Sequence, residues 1–262
     1  MSINLGATEI SGIKLGNTQI DSAYLGDTQV WGGSEPGELR ALKFECAGSQ
    51  TLGIYVGNLG SISPNFEYST NGVSWTSWSD LSSPIAFGDG VDLYIRGSNQ
   101  LLSNSTNSTQ FVFSQSNNKV TCTGNVMHLF DYTQDLTAFP SDPNSYGISY
   151  LFSGCTALAV PPSLPATTLV PYCYTSMFQN CTSLTAIPAL PATTLDTNCY
   201  RYMFVNCTSV KMSTTQSEAY PNEFVFGTNP SGYTYRMFRG TGGTFTGAPD
   251  QTTYYTANTI IS

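Results

Sequence analysis

Three related stretches decide the fold of this chain: LFSGCTAL at 151–158, MFQNCTSL at 177–184 and MFVNCTSV at 203–210. They recur every 26 residues, and SLPATTL at 163–169 is followed at the same interval by ALPATTL at 189–195. A shortened unit precedes them at 136–140, and a degenerate unit follows at 235–238. A fixed period of this length predicts stacked units that bury each other's apolar side chains, with atypical units as caps.

The period places identical residues in columns. One column holds phenylalanine and two hold cysteine: Phe152, Phe178 and Phe204; Cys155, Cys181 and Cys207; Cys173 and Cys199. The consensus MF-x-x-C-T-S-L-T-x-x-P-x-L-P-A-T-T-L-x-x-x-C-Y resembles the BspA-like leucine-rich repeats of surface proteins from gut anaerobes and of phages that infect them. The resemblance covers approximately residues 127–240. It implies a short right-handed solenoid with one β-strand per coil, used for binding and not for catalysis.

The cysteine columns have a second interpretation. In a solenoid of this type, the side chains would stack inside neighbouring coils as small apolar residues. The chain has seven cysteines, and an odd number prevents a complete set of internal disulfides. We therefore expect mostly buried free thiols, with disulfides between coils as the alternative.

A different repeat, of ten residues, fills the N-terminus. The units INLGATEISG, IKLGNTQIDS and AYLGDTQVWG each predict two short strands around a glycine-containing bend. They are too small to bury their own apolar face, which predicts that another chain covers it. The series also resembles the N-terminal segments of phage fibre and virion-decorating proteins. We expect an attachment arm at 1–33 whose contact residues are Ile3, Leu5, Ile10, Ile13, Leu15, Ile20, Leu25 and Val30. The alternative is a hairpin extension that packs on the next domain of the same chain.

The segment between the two repeats predicts a small β-sandwich at 39–126, after a hinge at 34–38. Short β-branched and aromatic runs are separated there by Gly, Asn, Ser and Pro. Asn71 and Gly72 predict a hairpin turn. The predicted strands are 41–45, 52–56, 66–69, 91–96 and 111–114. The fold class is thus mainly β, and residues 127–262 form the repeat domain with its C-terminal cap.

Composition excludes several functions. Only 10% of residues are charged, and 9 basic residues face 17 acidic ones, for a net charge of −8. No basic cluster could neutralise phosphates, so nucleic acid is not an expected partner. No apolar run approaches the ~20 residues of a membrane span, and the N-terminus lacks signal-peptide features. We expect no membrane insertion.

The sequence offers little for catalysis. Its one histidine, His128, lies among apolar residues, and a packed structural role is the simplest interpretation. Asp80, Asp89 and Asp92 are close in sequence but match neither a calcium loop nor a defined pair of catalytic acids. We expect no enzyme, no metal and no cofactor.

Aromatic residues carry the binding prediction. Trp75 and Trp78 are three positions apart, so in one strand they would face opposite sides, one in the core and one partly exposed. An exposed ring can stack on a sugar, seal the sandwich or meet another subunit. Tyr174 and Tyr200 are further candidates along the repeats, with partial burial between coils as the alternative.

Together these features predict a non-enzymatic bacteriophage virion structural protein: a head or tail fibre, or a decoration protein. It would be assembled in the host cytoplasm and exposed on the particle. The expected partners are a capsid or tail protein of the same virion, further copies of itself in a homotrimer, as implied by the resemblance, and a host-surface glycan. The main alternative is a bacterial cell-surface adhesin, against which the missing signal peptide counts. A secreted carbohydrate-active enzyme is a third hypothesis, for which no acidic pair can be assembled.

Overall fold

The structure is a computed structural model. It describes residues 39–57, 62–142, 144–192 and 194–212, with short strands before and after them and a few single residues near the C-terminus. The chain divides into two compact units, Met1–Arg40 and Ala41–Ser262. The predicted hinge at 34–38 lies outside the described residues.

The first unit consists of three antiparallel strand pairs, one in each ten-residue repeat. In each pair the second strand follows the glycine-containing segment, and Ile13 is the cross-strand partner of Ile20. The pairs are β1 (Asn4–Leu5) with β2 (Thr8–Glu9), β3 (Ile13–Leu15) with β4 (Thr18–Ile20), and β5 (Ser22–Leu25) with β6 (Thr28–Gly32).

The second unit contains two main sheets and is mainly β. Its strands are β7 (Leu42–Cys46), β8 (Gln50–Val56), β9 (Phe66–Ser69), β10 (Thr76–Ser77), β11 (Ile85–Phe87), β12 (Leu93–Gly97), β13 (Thr109–Phe113), β14 (Val120–Thr123) and β15 (Leu158–Val160). One sheet has the order β10-β9-β12-β7-β14-β15, and the other has the order β11-β8-β13. The described residues include no α-helix and one 3-10 helix, η1 (Val126–Leu129).

Short strand pairs lie beyond the repeats. Strand β16 (Lys211–Met212) pairs in parallel with β18 (Gly242–Gly243), and β17 (Glu223–Phe224) pairs antiparallel with β19 (Ile260–Ile261).

All five strands predicted in the sandwich region are present, with ends shifted by no more than two residues. The hairpin predicted at Asn71-Gly72 is also confirmed, since β9 and β10 pair antiparallel around it. Gly72 adopts a φ of 70°, and the Asn71 side chain accepts hydrogen bonds from the backbone N–H groups of Val73 and Ser74, both at 2.9 Å. Asn71 thus stabilises the turn through its side chain, as asparagine commonly does in turns. Strands β11 and β14 were not predicted.

The core between the sheets consists largely of phenylalanine. Burial alternates along β7 and β12, as it must when one face of a sheet is covered. The ring of Phe44 on β7 lies 5.8 Å from that of Phe111 on β13, edge to face. Phe111 in turn lies 5.4 Å from Phe152 of the first repeat unit. Strand β15, from the repeat region, pairs in parallel with β14. The predicted domain boundary at 126/127 therefore runs through one continuous core.

The repeats fold as turns where the resemblance implied a strand in each coil. Residues 171–180 and 197–206 are turns throughout, so this expectation is wrong for these segments. Left-handed backbone recurs at every fourth residue, with φ of 60° at Tyr172, 53° at Ser176 and 62° at Asn180. Such a residue cannot belong to an extended strand.

The backbone of these turns pairs in two alternating directions. Odd-numbered residues bond within their unit: the Met177 N–H donates to the Tyr174 carbonyl at 3.1 Å. Even-numbered residues bond to the next unit: the Phe178 N–H donates to the Met203 carbonyl at 3.0 Å. The same alternation runs from Tyr172 to Cys181. Adjacent units are thereby joined by a ladder that needs no strand to satisfy the buried backbone.

Side chains stack in the columns that the sequence repeat defines. The rings of Phe152, Phe178, Phe204 and Phe238 follow one another at 5.5 to 5.6 Å, with planes within 10° of parallel. In the column of Cys155, Cys181 and Cys207, each Sγ–H donates to a carbonyl of the preceding layer at 3.0 Å, as Cys181 does to Phe152. All seven cysteines are free, six of them buried, which agrees with the predicted thiols.

Candidate functional site

Three of the four candidate binding aromatics are buried: Tyr174, Tyr200 and Trp78. The tryptophan pair has one buried and one partly exposed member, as predicted, whereas the two tyrosines follow the alternative of burial between coils. Tyr174 and Tyr200 stack inside the repeats at 5.7 Å with planes 3° apart, and neither ring reaches the surface. Their positions between neighbouring units explain this, since each ring is covered by the next layer. Trp78 is only 4% exposed, and its indole N–H donates to the Ser83 carbonyl at 3.2 Å. None of the three can stack on an external sugar.

Trp75 is the partly exposed member of its pair, but its ring already has a partner. The guanidinium of Arg96 lies 3.8 Å from the centroid of the Trp75 ring and 4.0 Å from that of Tyr132. Glu67 accepts a hydrogen bond from Arg96 at 2.7 Å. A cation between two aromatic rings is a favourable arrangement that fixes all three side chains. At least one face of the Trp75 ring is therefore covered by Arg96.

The predicted attachment residues lie in the first unit. Ile3 and Ile10 are outside the described residues, whereas Leu5, Ile13, Leu15, Ile20, Leu25 and Val30 belong to described strands. Their role in attachment stays a prediction.

The acidic residues make local bonds instead of converging on a site. Asp80 accepts hydrogen bonds from the hydroxyls of Ser82 and Ser83, both at 2.6 Å, and these bonds lower the pKa of its carboxyl. Asp92 lies 3.0 Å from the ammonium of Lys43, and Asp89 accepts from the Ser49 hydroxyl. Among the described residues, no three metal-ligating side chains come together.

His128 is buried within η1. Its Nε2 lies 2.9 Å from an oxygen of Asp135, which is itself largely exposed. Asp135 thus orients the ring.

Several clefts open on the described surface of the second unit. One of about 470 Å³ lies beside Asp89, Gln50 and Asn118, and another of about 390 Å³ lies beside Trp78 and Asp80. An apolar groove of about 350 Å³ runs between the proline-rich segments 160–165 and 186–191. A further cleft, also about 350 Å³, is lined by two tyrosines and is here called the Tyr55–Tyr150 cleft.

The Tyr55–Tyr150 cleft has two exposed aromatic residues in its lining. Tyr55 is 59% exposed and Tyr150 is 37% exposed. The loop Asn104–Asn107 also lines the cleft, and a short antiparallel bridge between Ser103 and Ser108 closes this loop. Its lining is neutral throughout, with hydroxyl and amide groups but no ionisable acid or base other than the two phenols.

Each wall is fixed by the fold. Tyr55 lies on β8 opposite Gln110 of β13, at a position that alternates with buried Leu52. Tyr150 has a left-handed φ of 64°, and its N–H donates to the Thr175 carbonyl of the next unit at 3.0 Å. The hydroxyls of Ser149 and Ser103 are hydrogen-bonded to each other, which ties the repeat to the loop.

The floor of the cleft is a rigid turn. The Asn104 side-chain oxygen accepts hydrogen bonds from the Thr106 N–H at 3.0 Å and from the Asn107 N–H at 2.9 Å. The Asn107 amide donates to the Thr106 hydroxyl at 2.8 Å. Asn at the start of such a turn fixes the loop without help from a ligand.

Sequence reasoning missed this cleft because Tyr55 and Tyr150 are far apart in the chain. The alternation of apolar residues along 50–56 was the available signal, since it places Tyr55 on the opposite face from Leu52. No comparable signal marked Tyr150, whose exposure depends on the left-handed turn.

Comparison with known proteins provides no family for this chain. No family model matches it, and no curated protein or solved structure is significantly similar to it. In the described segments no helix has both the length and the apolar character of a membrane span.

Proposed function

We propose that this chain is a non-enzymatic structural protein of a bacteriophage virion, either a head or tail fibre or a decoration protein. Residues 1–33 form its attachment arm. The stacked 26-residue units form a short solenoid of leucine-rich-repeat type, and the two sheets form a sandwich at one end of it. The second unit presents its surface to the host.

One observation carries this proposal: the chain consists of a small unit of three strand pairs and a separate compact unit. Two-stranded pairs of this size are marginal alone, so they need a further surface to cover them. A capsid or tail protein of the same virion would supply that surface, and a homotrimer of this chain is the proposed assembly.

The character of the described surface favours binding over catalysis. Its acids are engaged in local hydrogen bonds, and its polar clefts are lined mostly by Ser, Thr, Asn and Gln. Such groups suit a neutral host-surface glycan better than a charged ligand.

The proposal is tested by assembling virions with the full chain and with a chain lacking residues 2–33. Mass spectrometry of purified particles should detect the full chain and not the shortened one, which we expect to be soluble and folded. Normal incorporation of the shortened chain would refute the attachment arm. Recovery of the full chain on bacterial envelopes and never in particles would favour the adhesin instead.

A further inference from the structure

We propose that the Tyr55–Tyr150 cleft binds a neutral saccharide of a host-surface glycan. The inference rests on the proposed host-binding function and assigns a site to it. It differs from the sequence prediction, which placed binding at tryptophans and tyrosines that the fold buries or pairs internally.

The geometry of the walls suits a sugar ring. A pyranose presents apolar C–H faces and polar edges, and an exposed tyrosine offers a flat apolar face with a hydroxyl at its tip. Tyr55 and Tyr150 both line the cleft, and its volume of about 350 Å³ falls within the range of ligand sites. A saccharide bound in the cleft would have two tyrosine rings available for contact.

The floor supplies hydrogen bonds that the protein itself leaves unused. Within the described residues, the hydroxyls of Ser105 and Ser108 and the side-chain N–H₂ of Asn104 make no hydrogen bond. Donors and acceptors of this kind match sugar hydroxyls, which both donate and accept. Because the turn is already fixed, little ordering entropy is lost on binding.

The absence of charge in the lining determines the ligand class. No lysine, arginine or carboxylate contributes to this cleft, so a phosphate, sulfate or sialic acid would have no counter-charge. Binding of a neutral saccharide should also change little with salt, because no charge pair is screened.

Three other clefts fit a saccharide less well. The cleft beside Asp89 has as its aromatic residue Phe87, which is buried. In the cleft beside Trp78 the indole is buried, the half-buried Tyr68 ring packs edge to face on it at 6.4 Å, and Asp80 accepts hydrogen bonds from two serines. The proline groove is apolar, and the structure does not indicate what would cover it.

The test uses the full chain on an array of neutral oligosaccharides ending in glucose, galactose, mannose or N-acetylglucosamine, with sialylated and sulfated sets as the charged comparison. Binding to at least one neutral structure is expected, changing less than about twofold between about 0.1 M and 1 M salt. Tyr55→Ala and Tyr150→Ala should each weaken it by about tenfold or more, while Tyr55→Phe retains most of it.

Val112→Ala is the matched control, since Val112 is exposed on β13 of the same sheet but does not line the cleft. Unchanged thermal unfolding of each variant shows that lost binding is not lost folding. Neutral binding that survives both tyrosine variants would overturn the site but leave the function standing.

Two further outcomes separate the site from the function. The full chain could bind only charged glycans, or adsorb to host cells without binding any neutral saccharide. Either result would overturn the proposed neutral ligand and keep the host-binding function. Failure of the full chain to adsorb to host cells and to any glycan would overturn both.

Discussion

At the scale of single residues, the stacked phenylalanines are the clearest determinant of stability. Phe178 is fully buried, with one parallel ring 5.6 Å away on one side and another 5.5 Å away on the other. We predict that Phe178→Ala lowers the free energy of unfolding by about 3–5 kcal/mol, because it removes a large apolar side chain and leaves a cavity. Urea denaturation measures this.

Val73→Ala is the control, since Val73 is 80% exposed and its loss should change stability by no more than about 0.5 kcal/mol. If the two substitutions changed the free energy of unfolding equally, the stacked ring column would not be a determinant of stability.

The buried thiols predict a pH dependence. Burial raises the pKa of Cys199 and Cys207 to about 12, from an ordinary value of 9.0. Above pH 9 the unfolded chain therefore loses protons that the folded chain keeps, so stability falls as pH rises, by up to about 1.4 kcal/mol per pH unit for each thiol. The urea midpoint should be flat from pH 6 to 8 and decline above pH 9.

The variant Cys207→Ala should show a shallower decline than Cys46→Ala, because only the former removes a fully buried thiol. A stability that stays constant up to pH 10.5 in the unmodified chain would contradict this account. Thiol titration after denaturation should also detect all seven cysteines.

At the scale of elements, two glycines in the first repeat unit form a natural comparison. Both have left-handed backbone, with φ of 57° at Gly147 and 77° at Gly154. A Cβ at Gly147 would lie 2.8 Å from the Cβ of Cys173, whereas one at Gly154 would meet nothing within 4 Å. Gly147 therefore leaves space for the layer that stacks on it.

We predict that Gly154→Ala costs about 1–2 kcal/mol, since only the backbone conformation is unfavourable. Gly147→Ala adds overpacking and should cost about 1–3 kcal/mol more. Thermal or urea unfolding of the two variants side by side measures the difference. Equal losses would mean that the contact with Cys173 is relieved by a small shift of the turn.

The elements also show how far sequence reasoning reaches. The 26-residue period identified the Phe and Cys columns, because identical residues at a fixed interval must occupy equivalent positions in stacked units. Short β-branched and aromatic runs between turn residues located the strands of the sandwich region. The turns at 171–180 escaped prediction because left-handed φ at Tyr172 and Ser176 has no compositional signal. The Tyr55–Tyr150 cleft escaped because long-range folding creates it.

At the scale of the whole molecule, the second unit should unfold as one body. The Phe111 N–H donates to the Leu151 carbonyl at 2.7 Å, and the Cys155 thiol donates to the Phe111 carbonyl at 3.0 Å. Strand β13 thus occupies the place of a preceding repeat unit. The sequence predicted a β-sandwich with a boundary at 126/127, whereas these contacts make strand β13 the cap of the repeats.

We predict that a fragment of residues 39–126 is unfolded or far less stable than residues 39–262. In the fragment the phenylalanine core lacks Phe152, and β14 lacks its neighbour β15 and becomes an edge strand. Near-ultraviolet circular dichroism and urea unfolding of both fragments provide the test. If the short fragment unfolded cooperatively at the same urea midpoint as the long one, the predicted domain boundary at 126/127 would be correct.

The alternating backbone ladder has an evolutionary consequence. The same backbone hydrogen bonds join successive pairs of units. The Phe152 N–H donates to the Met177 carbonyl at one junction, and the Phe178 N–H donates to the Met203 carbonyl at the next. An in-frame duplication of 26 codons would therefore insert a layer with no mismatched junction. Unequal recombination inside the gene can change the copy number in a single step. Selection can then act on the number of layers while the segments on either side of the repeats keep their sequences.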